Sequence, residues 1–156
     1  MYARDEAVIA TPVGNIRVTS NGDRLSAISI TDDPVAKSAD TDLVREAVRQ
    51  LHQWFAGERT SFDLPLMPAQ TARGEALRQA IADIGYGDTI SYGALARQVE
   101  SGARAIGQAC ARNPFPILIP CHRVLAAQGQ LGAYSAGNGP TTKQWLLDHE
   151  QRYRKG

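Results

Sequence analysis

Cysteine is scarce in this chain: only Cys110 and Cys121 occur among 156 residues. Two thiols are too few for a disulfide framework and lack the paired spacing of a structural zinc site, so neither cross-links nor a metal is expected to hold the fold together. A run of about 18 apolar residues, the length a membrane-spanning helix needs, is missing as well. Arg4, Asp5 and Glu6 stand where a secretory signal would need an apolar core, which leads to the expectation of a cytoplasmic protein without a membrane partner. There is no internal repeat and no low-complexity segment. A net charge of +1 selects no partner, and 43% hydrophobic with 21% charged residues is an ordinary globular composition. A chain of this length can build one good core or two small modules.

What is present is unevenly placed. Residues 1–88 carry nine Lys/Arg and thirteen Asp/Glu, a net of −4, whereas residues 89–156 carry eight and three, a net of +5. Without the basic tail residues Arg152, Arg154 and Lys155 the second part still has +2. That asymmetry suggests an anionic ligand for the C-terminal part, nucleic acid included.

Strand-like runs open the chain at 7–10, 16–19 and 25–30, separated by the turn formers Pro12 to Asn15 and Asn21-Gly22-Asp23. They predict a small antiparallel meander. Asp40 to Gly57 follows as an amphipathic helix with Leu43, Ala47, Leu51 and Trp54 on one face, and 58–67 as an extended connection. A second helix is expected over 71–84, a third after the N-cap Ser91, and a fourth from Ala103 to Arg112, stopped by Asn113-Pro114. A helix, a short turn with Gly102 and another helix make a helix-turn-helix pattern. In the fourth helix Ala103, Ile106, Ala109 and Cys110 are assigned to the inner face, with Arg104, Gln108 and Arg112 outside. Such a hairpin is compatible with DNA binding and equally with a plain helical hairpin. The whole reads as an α/β (α+β) chain: an N-terminal antiparallel sheet with a helix over 1–68, then a mostly helical domain over 69–156.

The densest chemistry lies at Ile117-Leu118-Ile119-Pro120-Cys121-His122-Arg123-Val124. The three aliphatics predict a short buried strand that Pro120 stops, delivering a thiol next to an imidazole. A free thiol ionises near about pH 8.5, and a neighbouring base can yield the reactive thiolate at lower pH. From the residues alone Cys121 is either such a nucleophile or a small buried hydrophobe. Glu150, near the end of a final helix over 141–150, is either a buried group that orients His122 or a solvated helix end.

Pro120 to Val124, preceded by Asn113 to Ile119 and followed by Tyr134-Ser135 and Leu146-Leu147-Asp148-His149-Glu150, resembles the O6-alkylguanine-DNA alkyltransferase family. The likeness is specific over 88–150, and 2–66 is similar to the family's N-terminal α/β domain in order of elements. It implies an enzyme that moves an alkyl group from O6 of guanine to its own cysteine, irreversibly and once per molecule. The implied partner is double-stranded DNA bearing O6-alkylguanine, met by a monomer without cofactor or metal. Cys121 would be the nucleophile, His122 would take its proton through a water, Glu150 would hold His122, and Asn113 would brace the turn. Tyr92, Tyr134, Ser135, Cys110 and the carbonyls of Cys121 and Val124 would surround the flipped base. Arg104 would fill the vacated stack from a recognition helix that also carries Ala103, Gly107 and Arg112, and Arg123 is expected to add a phosphate contact. Departures from the family pattern are Arg73-Gly74 and Leu77-Arg78 in the second helix, Cys110 where an apolar residue is usual, and Ala136 where glycine is usual. An alkyltransferase-like protein that binds the lesion without reacting would lack the cysteine. A helix-turn-helix regulator would prefer one DNA sequence and ignore alkylation.

Overall fold

A computed structural model of the chain describes residues 5–36 and 41–154. Asp40, the expected start of the first helix, lies outside the described residues. The chain forms two compact units that divide between Met67 and Pro68.

In the N-terminal unit β1 (Asp5–Thr11), β2 (Gly14–Ser20) and β3 (Leu25–Thr31) form an antiparallel sheet in the order β1-β2-β3. The predicted strand cores lie inside these elements, and pairing carries each strand outward to its turn. Ile16 and Val18, two residues apart on β2, point to one face and are fully buried. Over that face packs α1 (Asp42–Phe55), whose Val44, Ala47, Leu51 and Trp54 recur at helical spacing and are buried to the last atom. Thr41 caps α1 by accepting from the Val44 N–H at 3.3 Å, and its own hydroxyl donates to Asp5 at 2.7 Å. A cavity of about 530 Å³ in this unit is lined by Ala7, Val8, Ala36 and Val48 with Arg45 and His52.

The C-terminal unit starts with α2 (Ala72–Ala82), capped by Thr71, which buries Leu77 and Ile81. A two-residue strand, β4 (Ile90–Ser91), leads into α3 (Tyr92–Gln98), where the Ser91 hydroxyl accepts from Ala94 at 3.0 Å. The connection to α4 (Ala103–Ala111) turns at Glu100 with φ 54° and closes with Ser101 N–H donating to the Ala96 carbonyl at 2.8 Å. Arg73 donates from α2 to the carbonyls of Val99 and Glu100, and Arg78 lies over the Phe115 ring at 5.6 Å. The two departures in α2 thus have partners within this unit.

Two expectations are corrected here. Ile117 to Ile119 is not a strand: Pro114 and Pro116 break any ladder, Ile119 N–H donates back to Phe115, and Ile117 sits at φ 77°. The segment is a tight turn with Phe115, Ile117 and Ile119 plugged into the core. Ala103 is exposed rather than on the inner face of α4, because only Ile106 and Cys110 are buried there. A single helical turn, Cys121–Arg123, then runs into β5 (Val124–Leu125), which pairs in parallel with β4. The chain ends in α5 (Pro140–Tyr153), entered through Gly139 at φ 65° with Pro140 in the first turn.

Candidate active site

Cys121 sits on the single turn after Pro120 and is 4% exposed. Asn113, just past α4, fixes that turn from below: its side-chain amide donates to the Ile119 carbonyl at 2.9 Å and to the Cys121 sulfur at 3.3 Å, while its oxygen accepts from Phe115 N–H at 2.9 Å. His122 is wholly buried and makes a 2.7 Å hydrogen bond from Nε2 to Glu150 Oε2 on α5. Glu150 is also wholly buried, and also accepts from Arg123 Nε at 2.9 Å, Arg123 Nη2 at 2.8 Å and Gly87 N–H at 3.1 Å. Gly87 reaches it with φ 80°, and a Cβ there would meet Arg154 at 2.8 Å, so the close approach needs glycine.

The charges follow from these contacts. Burial alone would raise the Glu150 carboxyl, but hydrogen bonds from His122 and Arg123 and the Arg123 charge outweigh it and hold it at about 2. Burial pushes the His122 ring down despite Glu150, so the imidazole is neutral. A carboxylate at Nε2 can only accept, which puts the ring proton on Nε2 and makes Nδ1 the basic nitrogen.

Cys110 is buried in the last turn of α4, and it and Cys121 shift each other's ionisation in opposite directions. Cys121 pulls Cys110 below the ordinary thiol range, while Cys110 and burial push Cys121 well above it. Asn113 and Lys143 act in the opposite sense on Cys121. Tyr92 and Tyr134 are both raised by burial and by the charges of both cysteines. The Tyr134 hydroxyl is buried without a hydrogen-bond partner, and Ser135 beside it is exposed. Val124 is buried, and its carbonyl accepts from Lys143 Nζ at 2.7 Å, leaving one lone pair; the Cys121 carbonyl accepts from Val124 N–H.

The outer face of α4 presents Arg104 and Arg112 to solvent, with Ala103 exposed beside them. A Cβ added at Gly107 would meet nothing within 4 Å. Arg123 does not join them. It is 6% exposed, its Nη1 donates to the Ile84 carbonyl at 2.6 Å, and Glu150 takes the rest, so its charge is consumed inside the protein and no phosphate contact follows.

Lys143 is the residue that sequence reasoning passed over. It is wholly buried, with Nζ on the carbonyls of Val124 at 2.7 Å and Ala133 at 3.2 Å and 5.7 Å from the Tyr92 ring. Its signal was the spacing Lys143, Leu146, Glu150, which places both charges on the buried stripe of α5.

The sequence matches the 6-O-methylguanine DNA methyltransferase DNA-binding domain over residues 74–152 and the ribonuclease-like domain of the same proteins over 6–68. The chain belongs to this family. A methylated-DNA–protein-cysteine methyltransferase of Methanosarcina acetivorans is 34% identical over 152 residues, covering 92% of this chain and 96% of its own. One from Mycobacterium leprae is 38% identical over 148 residues, covering 90% and 88%. Among solved structures, the O6-methylguanine methyltransferase of Mycobacterium tuberculosis superposes with a TM-score of 0.84 at 32% identity, covering 99% of this chain and 96% of that one. The same protein in complex with DNA superposes with a TM-score of 0.82 at 34% identity over 96% and 94%. Family membership makes the thiol, imidazole and carboxylate network the place where its chemistry is sought.

Proposed function

We propose that the chain repairs DNA directly, moving the alkyl group from O6 of a guanine in the duplex onto Cys121, irreversibly and once per molecule. The observation that carries this is the buried relay in which Glu150 fixes His122 as a base beside Cys121, in a chain that belongs to the methyltransferase family. His122 takes the thiol proton at Nδ1 through a water, and the resulting imidazolium is stabilised by Glu150. The thiolate attacks the alkyl carbon in line. The carbon–O6 bond breaks toward the guanine, which takes up a proton as it leaves.

A stacked base is out of reach of a sulfur this deep, so the nucleotide leaves the duplex at a cost of a few kcal/mol. Arg104 fills the vacated place, and Arg112 adds charge toward the phosphates. Ala103 and Gly107 keep the helix surface low enough for close approach. Tyr92, Tyr134 and Ser135 surround the base, and the free lone pair of the Val124 carbonyl receives its amino group. The basic exposed face of α4 and the likeness to a relative solved with DNA support a duplex partner.

Intact-mass measurement after incubation with duplex DNA containing O6-methylguanine tests the proposal. One methyl on Cys121 and no further transfer are expected, with Cys121→Ala taking none. Product beyond one equivalent would overturn it.

A further inference from the structure

Arg73 stands at the wrong end of its own helix. It is the second residue of α2, whose Thr71 cap accepts from the Gly74 N–H at 2.9 Å, and a cation in the first turn opposes the helix dipole. Its guanidinium serves a different helix. Nη2 donates to the carbonyls of Val99 at 3.3 Å and Glu100 at 3.4 Å, just past the end of α3, where a positive charge is favoured. Those carbonyls belong to the connection between α3 and α4.

That connection is a Schellman closure, with Glu100 N–H donating to the Arg97 carbonyl at 3.3 Å and Ser101 N–H to that of Ala96 at 2.8 Å. Its left-handed position, φ 54°, is one that glycine takes without penalty and Glu100 does not. A strained residue keeps its conformation where its surroundings fix it, and Arg73 bonds the peptide groups on both sides of Glu100. α4 begins directly afterwards. Gly102 gives it no side-chain cap, and Ala103 and Arg104 at its start are exposed, so its first turn takes its direction from the connection that Arg73 holds.

We propose that Arg73 is a positioning residue for base extrusion: by bracing the peptide groups around Glu100 it fixes the start of α4, and with it the place from which Arg104 enters the vacated stack. This rests on the alkyl transfer and the role of Arg104 proposed above. The thiol chemistry does not run through Arg73, because Cys121 is held by Asn113, and Glu150 by Arg123 and Gly87. A direct contact of Arg73 with phosphate is the competing role. In that role its loss lowers affinity, whereas in the bracing role it lowers the rate of the bound complex, since the competent arrangement of α4 is less populated. The advantage of a cation at a helix C-terminus corresponds to about two- to fivefold.

The test is single-turnover methyl transfer from an O6-methylguanine duplex at saturating protein, with free O6-benzylguanine in parallel, for the parent, Arg73→Met, Arg104→Ala and the double variant. Arg73→Met should slow the duplex reaction about two- to fivefold and leave the free-base reaction at the parent rate. In the Arg104→Ala background it should slow neither further, because two residues that act through one group are not additive. Equal losses on the two substrates, a loss confined to affinity, a duplex loss that persists without Arg104, or an unchanged duplex rate would each overturn the positioning role. Parent protein that leaves the duplex methyl in place would instead remove the transfer on which that role rests.

Discussion

Replacing Glu150 with glutamine takes one charge out of the centre of the C-terminal unit. The native carboxyl is held at about 2 against its ordinary 4.5. At about 1.4 kcal/mol per unit, that difference is worth roughly 3 kcal/mol of stability at neutral pH. Because the folded value is depressed, this stability is fully present above 4.5 and is lost as pH falls through that value toward about 2. Glutamine also leaves the buried Arg123 guanidinium without its counter-charge, and removing one partner of a buried pair typically costs about 3–5 kcal/mol. Glu150→Gln should therefore unfold in urea with about 3–5 kcal/mol less stability than the parent at neutral pH, and the gap should close on acidification. Burial of a neutral His122 adds its own acid-labile component below 6.5, so the two proteins are compared at each pH. The same substitution offers Nε2 an amide donor and shifts the ring proton to Nδ1. Single-turnover methyl transfer should then fall by roughly 10²-fold or more. A variant within about 1 kcal/mol of the parent, or a gap independent of pH, would refute the assignment of Glu150 as an ionised, stabilising node.

Arg104→Ala should slow repair in duplex DNA more than reaction with free O6-benzylguanine, since only the duplex needs the extruded base replaced; equal losses would exclude that role. Binding by the parent should weaken as salt rises, measured by fluorescence anisotropy on labelled duplex. Lys143→Met removes the cation that favours both thiolates. Iodoacetamide labelling of the cysteines should then shift to higher pH, while an unchanged pH profile would make Lys143 a strap for the Val124 and Ala133 carbonyls alone. Ala136→Gly should speed reaction with O6-benzylguanine more than with O6-methylguanine in DNA, because relieving crowding of one methyl group is worth about 1–3 kcal/mol; an unchanged ratio of rate constants would show that Ala136 does not set the pocket's size.

Local signals carried the fold furthest. Thr41, Thr71 and Ser91 start their helices through side-chain oxygens that the sequence displays directly, and the meander follows from alternation and turn residues. Ile117 to Ile119 misled because three aliphatics look alike in a strand and in a buried turn, and the two prolines decide between them. The β4–β5 pairing was hidden because two-residue strands 34 positions apart in register carry no periodicity. At the site, the Cys121-His122 adjacency was legible, whereas the state of Glu150 depended on donors 27 and 28 residues upstream. The same distance turned Arg123 from an expected surface cation into an internal one.

His122 has no exposed surface at all, and Glu150 behind it has none either. An enzyme that turns over many times must return its base to the starting protonation state after each round, which calls for a route by which protons exchange with solvent. A base without exposed surface gains a fixed orientation at the cost of slow exchange with bulk solvent. A protein that accepts one alkyl group and is then finished has no second round to prepare. The buried imidazole thus suits single-use chemistry, and restoring turnover to this scaffold would require faster proton exchange between His122 and bulk solvent as well as a way to free Cys121.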